Sequence, residues 1–298
     1  MKTPSLSRLL PSGRLWVISV PYLWLLLFFL LPFAIVLKIS FSQAAIAIPP
    51  YDPIFQYIEQ TLNVVLNFGN YIFLSQDGLY LAAYLGSLQI AFFSTVICLL
   101  LGYPMAYAIA RAPKEKQLVY LLLVMMPTWT AILIRVYAWM GILSNNGLLN
   151  TALMYIGVIN EPLQILNTNI AVYIGVVYAY LPFMVLPLYA NLVKHDNTLL
   201  EAAMDLGAGK IKAFWTITIP LSKSGIIAGS MLVFIPVVGE FLIPELRGRA
   251  GTVITGTVLW QELLNNRELP VAPALAMGII LHLLFPVLSI PMTQPPAR

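Results

Sequence analysis

Six runs of about twenty apolar residues constrain this chain more than any other feature. They cover about Leu15–Val36, Ser87–Ile109, Leu118–Leu143, Ile170–Leu192, Gly225–Ile243 and Val271–Pro291. A helix needs about 20 apolar residues to cross a hydrocarbon core about 30 Å thick. Hydrocarbon offers backbone N–H and C=O groups no partner, so a spanning run must bond them within itself, as a helix does. Charged residues make up 9% of the chain, against about 25% in soluble domains. The expected fold is therefore an all-α membrane protein with six transmembrane helices and one domain over residues 1–298. Every run contains Pro or Gly, which membrane helices tolerate where neighbours bond the freed carbonyls. Lys2, Arg8 and Arg14 ahead of the first run imitate a signal peptide. Leu15–Val36 spans 22 residues, longer than a signal core of roughly 7–15, so an uncleaved first helix is expected.

Charge gives the expected orientation, because cytoplasmic loops hold the excess of Lys and Arg. One side carries Lys2, Arg8 and Arg14, then Arg111, Lys114 and Lys116, then Lys194, Lys210, Lys212 and Lys223, then Arg298. That is eleven of the sixteen Lys and Arg residues. The other side carries Arg247, Arg249 and Arg267, with Lys38 at a helix end. Both termini and the 194–222 insert are thus expected in the cytoplasm. The net charge of +4 reflects this distribution, and no nucleic-acid partner is expected. Membrane lipid is the expected surroundings.

Several kinds of chemistry find no support. No GxxxxGK[ST] motif is present, so ATP bound by a P-loop is not expected here. There is no HExxH, and His195 and His282 stand alone. Cys98 is the single cysteine, which rules out an intrachain disulfide and a Cys-based metal site. No catalytic residue and no metal ligand is assigned. Outside the apolar runs, the segment from about Lys38 to Ala83 holds Pro49-Pro50 and a mixed stretch, IFQYIEQTLNVVLNF, read as an interfacial lid or a docking surface. LWQELLNNREL carries Trp260 as an interface anchor.

Lys194 to Ser222 is the long polar-to-amphipathic insert between two apolar runs. Thr198 to Glu201 has capping-box spacing, which starts a helix. Gly207 can take the left-handed conformation that ends one. Lys210 to Thr218 restarts a helix, and Pro220 marks a boundary. Glu201-Ala202-Ala203, then Gly207, then Ile217-x-Ile219-Pro220 resembles the EAA loop of ABC-importer permeases. The spacing matches at every marked position, and Ile219 replaces the usual Leu. The resemblance extends through PYLWLLLFFLLPF, LIRVYAWMGILSNNG, AVYIGVVYAYLPFMVLPLY, GSMLVFIPVVGEFLIPEL and VLWQELLNNRELPVA to permeases of bacterial putrescine and other polyamine importers, of the PotH type. It implies a type I importer fold whose last five helices face a second permease subunit. It also implies a coupling helix carrying Glu201, Ala202, Ala203, Asp205 and Gly207, which inserts into a cytosolic ABC ATPase. The implied partners are two copies of that ATPase, which would bind the ATP, and a periplasmic polyamine-binding protein. The location is the bacterial inner membrane, with no cofactor in this chain. The family pattern ends on a longer, more basic tail than VLSIPMTQPPAR.

Ionisable groups inside a span mark functional positions by default. Arg135 in the third run and Glu240 in the fifth are such groups. Glu240 lies among Pro236, Gly239 and Pro244, breakers that place irregular backbone at membrane depth. On one reading Glu240 meets a substrate ammonium, with Trp139 or Tyr180 as aromatic neighbours. On the other, Arg135 and Glu240 pair and only hold helices together. Tyr137 and Tyr178 also fall on outer halves of runs, as belt residues do. The expected function is the permease of an ATP-driven polyamine importer. The alternative is a secondary transporter or channel that uses no ATPase. Reporter fusions after Arg111 and after Lys212 should give a cytosolic signal, and one after Gln76 an external signal. A cytosolic signal at Gln76 rejects the orientation.

Overall fold

The computed structural model describes residues 13–58, 61–247, 254–266 and 269–289. In chain order the helices are α1 (Gly13–Leu25), α2 (Leu31–Ser40), α3 (Gly69–Gln76), α4 (Gly78–Arg111), α5 (Lys114–Met125), α6 (Ile132–Leu143), α7 (Leu148–Tyr155) and α8 (Asn169–Leu192). They continue as α9 (Thr198–Asp205), α10 (Lys210–Ala213), α11 (Ile219–Leu221), α12 (Lys223–Val238), α13 (Leu242–Arg247), α14 (Thr255–Gln261) and α15 (Val271–Ser289). The fold is all-α, with one hairpin of β1 (Phe55–Ile58) and β2 (Thr61–Val64) between α2 and α3. The chain divides into two compact units, residues 1–77 with 259–298, and residues 78–258.

In the first unit, α2 and α3 both pack on α15. Buried Asn70 ties the end of α2, where its Nδ2 donates to the carbonyls of Ser40 and Ser42 at 2.9 Å each. Phe41 adds ring contacts to Phe68 and Tyr71 at 5.3 and 5.2 Å. Phe55 pairs with Val64 and Ile58 with Thr61 in antiparallel register. The mixed stretch of the sequence is thus built largely as this hairpin. Almost every described side chain from Val17 to Lys38 is exposed, the pattern of a helix that is apolar all round and faces lipid.

In the second unit, α4, α8 and α12 form the core. Small residues let their backbones approach, as in membrane helix pairs generally. A Cβ on Gly102 would lie 3.0 Å from Met184 Cγ, and one on Gly229 would lie 2.8 Å from Met184 Sδ. Met184, fully buried, fills the space between them. Cys98 is buried and directs its thiol at the Val177 carbonyl, 3.9 Å away, a packing role in agreement with its apolar run.

The predicted runs survive with breaks. Val17–Ser40, Gly78–Arg111 and Asn169–Leu192 are uninterrupted and long enough to cross a membrane. The third predicted run is not one helix. It bends by 88° between Trp129 and Ile132, where Thr130 and Ala131 are extended. Pro127 at the start of the intervening 3₁₀ turn lacks the N–H that continues an α-helix. The fifth run ends at Val238 rather than Ile243, and Lys210–Leu221 meets it at 64°. The last helix is described to Ser289, so it takes in the first three residues of the tail that departs from the family pattern; residues 290–298 lie outside the described residues. Gly225 is a sharp test of this packing, since a Cβ there would sit 2.8 Å from Asn191 Cβ and 3.2 Å from the Pro187 carbonyl. Gly225→Leu should cost about 1–3 kcal/mol by overpacking and lower the Tm in detergent. Gly278→Ala, where no atom lies within 4 Å of the new Cβ, should leave the Tm unchanged or higher.

Candidate functional site

The polar insert folds as an isolated two-turn helix followed by an angled strut. The capping box does not form. Asn197 precedes the helix in helical geometry with no side-chain cap, and Thr198 is its first residue. Asp196 caps instead, its Oδ1 accepting the Thr198 N–H at 3.0 Å. Hydrogen bonds from the Thr198 backbone and side chain hold the exposed Asp196 carboxyl below its ordinary value. The stop is as expected: Gly207 has φ +83°. Its N–H donates to the Met204 carbonyl at 2.9 Å, and the Ala208 N–H donates to Ala203 at 3.0 Å. This pair of bonds is the Schellman closure, which a left-handed residue permits.

Glu201, Ala202 and Asp205 are exposed on α9 and Ala203 is half-buried. The sequence reading missed the apolar residues beside them. Leu206, Ile211 and Trp215 are 90%, 77% and 63% exposed. Large apolar residues gathered on a polar insert mark an interaction face, and Leu206 next to Gly207 is the local sign of it.

The strut is held from inside. Phe214 meets Tyr103 and Tyr107 of α4 edge-on, at 5.8 and 5.6 Å, and Arg111 lies 5.4 Å over the Tyr107 ring. The Tyr103 hydroxyl lies 2.8 Å from buried Ser222 Oγ. On α8, Tyr189 donates to Gln117 at 2.9 Å and Asn191 to Ser224 at 2.8 Å. His195, 3.1 Å from Asn191, is shifted below the ordinary imidazole value by burial. The Leu221 backbone opposes that shift and the Arg111 charge adds to it.

The second cluster surrounds Glu240. α12 ends at Val238, and Gly239 and Glu240 form a turn through N–H bonds to Pro236 and Val237 at 3.2 Å each. Glu240 Oε1 accepts the N–H groups of Leu242 and Ile243 at 3.0 and 3.4 Å, capping α13. Its Oε2 accepts the Tyr180 hydroxyl at 2.6 Å. Gly256 is required behind this turn, since a Cβ there would lie 2.6 and 2.8 Å from the Glu240 and Gly239 carbonyl oxygens. Arg135 does not pair with Glu240. Its Nε and Nη1 are buried and bond no partner among the described residues, so the ion pair expected on one reading is absent. Trp139 stands edge-on to Tyr178 at 5.2 Å, and both line an apolar cavity of about 550 Å³ with Ile97, Leu101 and Tyr173. Of the proposed substrate-path set, the structure joins Glu240 to Tyr180 and puts Trp139 against Tyr178.

A close-packed three-helix core, broken apolar spans and a capped helix exposed between two of them define a multi-pass membrane permease. Two structures of a bacterial ABC transporter for alginate share the fold. One aligns with TM-score 0.63 at 19% identity over 95% of this chain and 98% of that one. The other, in complex with an alginate-bound periplasmic protein, aligns with TM-score 0.64 over 93% of each chain. No family model matches the chain. The spermidine/putrescine transport system permease protein PotB of Escherichia coli K12 is 40% identical over 263 residues, 88% of this chain and 91% of PotB. Its Haemophilus influenzae counterpart is 38% identical over 262 residues, 88% of this chain and 87% of that protein. The inner membrane ABC transporter permease protein YdcU of E. coli is 30% identical over 207 residues, 65% of each. The chain belongs to the PotB family of ABC-transporter permeases.

Asp196 offers a direct check on the local structure. A depressed carboxyl contributes above its ordinary range and stops contributing as pH falls through the lowered value. Asp196→Ala should speed hydrogen exchange at Leu200 and Glu201, whose N–H groups bond the Asn197 carbonyl, by about several-fold. Wild type should loosen in the same way when acidified, after correction for intrinsic exchange. Unchanged protection in Asp196→Ala assigns the cap elsewhere.

Proposed function

We propose that this chain is one of two permease subunits of an ATP-driven importer for polyamines, putrescine and spermidine being the substrate class. The observation that carries the reading is the Glu240 carboxylate, which sits in the break between α12 and α13 with neutral donors alone as partners among the described residues. A polyamine is a polycation, and its passage through a low-dielectric region needs compensating negative charge. A carboxylate has about four lone-pair sites, and three donors occupy Glu240, which leaves acceptor capacity for an ammonium. The Tyr180 ring adds an aromatic face nearby, and Trp139 with Tyr178 forms a second aromatic wall. The PotB relatives bear spermidine and putrescine in their names, which supports the same substrate class here.

The 194–222 loop of this single permease domain then serves as the coupling element. Glu201, Ala202, Ala203 and Asp205 form the docking helix, and Gly207 ends it. Leu206 and Ile211 supply the apolar contact to a cytosolic ATPase, present in two copies. That ATPase binds the ATP on this reading, and this chain's part in the cycle calls on no cofactor or catalytic residue of its own. A second permease completes the pathway, and a periplasmic binding protein delivers the substrate, as the alginate transporter's complex with a periplasmic protein illustrates. Both termini face the cytoplasm on this reading, in line with the Lys and Arg distribution.

Glu240→Gln keeps the shape and removes the charge; with its oxygen capping α13, its NH2 faces Tyr180, whose hydroxyl oxygen can accept from it. It should lower uptake of labelled putrescine by about tenfold, the worth of a charge-assisted bond, with assembly of the complex intact. Recovery of uptake in Arg135→Met/Glu240→Gln would return both charges to a purely structural role.

A further inference from the structure

A docking helix transmits force only if the chain behind it is stiff. Behind α9 the chain runs through α10, a π-helical turn at Phe214–Thr218 and α11. It then bends by 64° into α12. Ser222, fully buried, is the residue at the bend. Its N–H donates to the carbonyls of Thr218 and Ile219 at 3.0 and 3.2 Å. Its hydroxyl donates to the Ile219 carbonyl at 3.0 Å, so the Tyr103 hydroxyl must donate to Ser222 Oγ at 2.8 Å. The bend is thus closed by a directed chain, from Tyr103 to Ser222 to the Ile219 carbonyl. It links α4 to the strut across 119 residues of sequence. The same α4 face, Tyr103 and Tyr107 one turn apart, brackets Phe214 on the strut.

We infer that Tyr103 is the positioning residue that makes a displacement of the docked helix move α4 together with α12, rather than dissipate in the bend at Ser222. A bent helix is compliant at its break, because the bonds that stiffen it are interrupted there. Tyr103 is the donor from another helix that reaches Ser222 itself, while Asn191 of α8 holds Ser224 two residues on. The inference rests on the coupling role proposed for the 194–222 loop and adds the route from that loop to the core.

Tyr103→Phe keeps the ring contacts with Phe214 and deletes the donor. Ser222→Ala deletes the acceptor. The full complex of both permeases, ATPase and binding protein, in proteoliposomes, gives the readout: putrescine molecules moved per ATP hydrolysed. Tyr103→Phe should assemble and hydrolyse ATP at the wild-type rate or above, yet move about fivefold less putrescine per ATP, the equilibrium worth of one buried hydrogen bond. The double variant should be no worse than the singles, because both cut one chain. A wild-type ratio in Tyr103→Phe overturns the inference, as do effects that multiply in the double variant. If Ser222→Ala fails to assemble, Tyr103→Phe alone decides. A wild-type complex whose ATP hydrolysis ignores putrescine-loaded binding protein overturns the coupling reading and the pin together, and so separates that failure from failure of the pin alone.

Discussion

The interaction on which this structure depends is the hydrogen bond that repairs a broken helix where water is absent. An unbonded N–H or C=O in hydrocarbon costs several kcal/mol, so each interruption needs a side chain to replace the missing bond. Three interruptions are repaired in this way. At the first, Thr128 and Thr130 donate to the Met125 and Pro127 carbonyls at 2.6 and 3.0 Å. At the second, Ser222 donates to Ile219 and is fixed by Tyr103. At the third, Glu240 accepts the N–H groups that open α13. The hydroxyl repairs are neutral. The carboxylate brings a whole charge, far more than capping two N–H groups requires.

That excess connects fold to transport. A neutral hydroxyl could cap the N–H groups of α13 and avoid the cost of a charge at depth, though it could not also accept the Tyr180 hydroxyl. On the function proposed above, a path for polycations would gain from the charge, because a carboxylate lowers the energy of an ammonium beside it. The position is rigid as well as charged. Gly256 abuts the turn from one side, the Thr255 N–H donates to Ser87 on α4 at 2.8 Å, and Tyr180 reaches in from α8. All three core helices of the second unit therefore hold the same carboxylate in place.

The 194–222 loop is organised in the opposite way. Its first helix, α9, is largely exposed and closed at both ends by residues of the loop, Asp196 and Gly207, so it is shaped without help from a partner. Its strut is buried at Phe214 and Ser222 and belongs to the core. The division suits the coupling role proposed for the loop, with an exposed part open to another protein and a buried part packed on α4.

What depends on near neighbours along the chain was legible in the residues alone. The apolar runs specify membrane helices because backbone bonding is a local matter. Gly207 specifies the end of α9 because a single residue's φ decides it, and EAA spacing identifies the loop because the whole pattern lies within twenty consecutive residues. Local pattern misled where two near neighbours compete for one task, as when Asp196 rather than Thr198 took the cap, or where Pro127 broke a run that read as continuous. Only the tertiary structure decided which distant side chains meet. Arg135 and Glu240 share a depth estimated from run position alone, yet they do not pair, while Tyr180, in a run separated from Glu240 by the whole 194–222 loop, bonds it. Tyr103 and Ser222 carry no mark of each other in the sequence. Hydrogen bonds of this kind depend on helix rotation and crossing, which the packing of Gly102, Met184 and Gly229 sets and which no periodicity along one helix encodes.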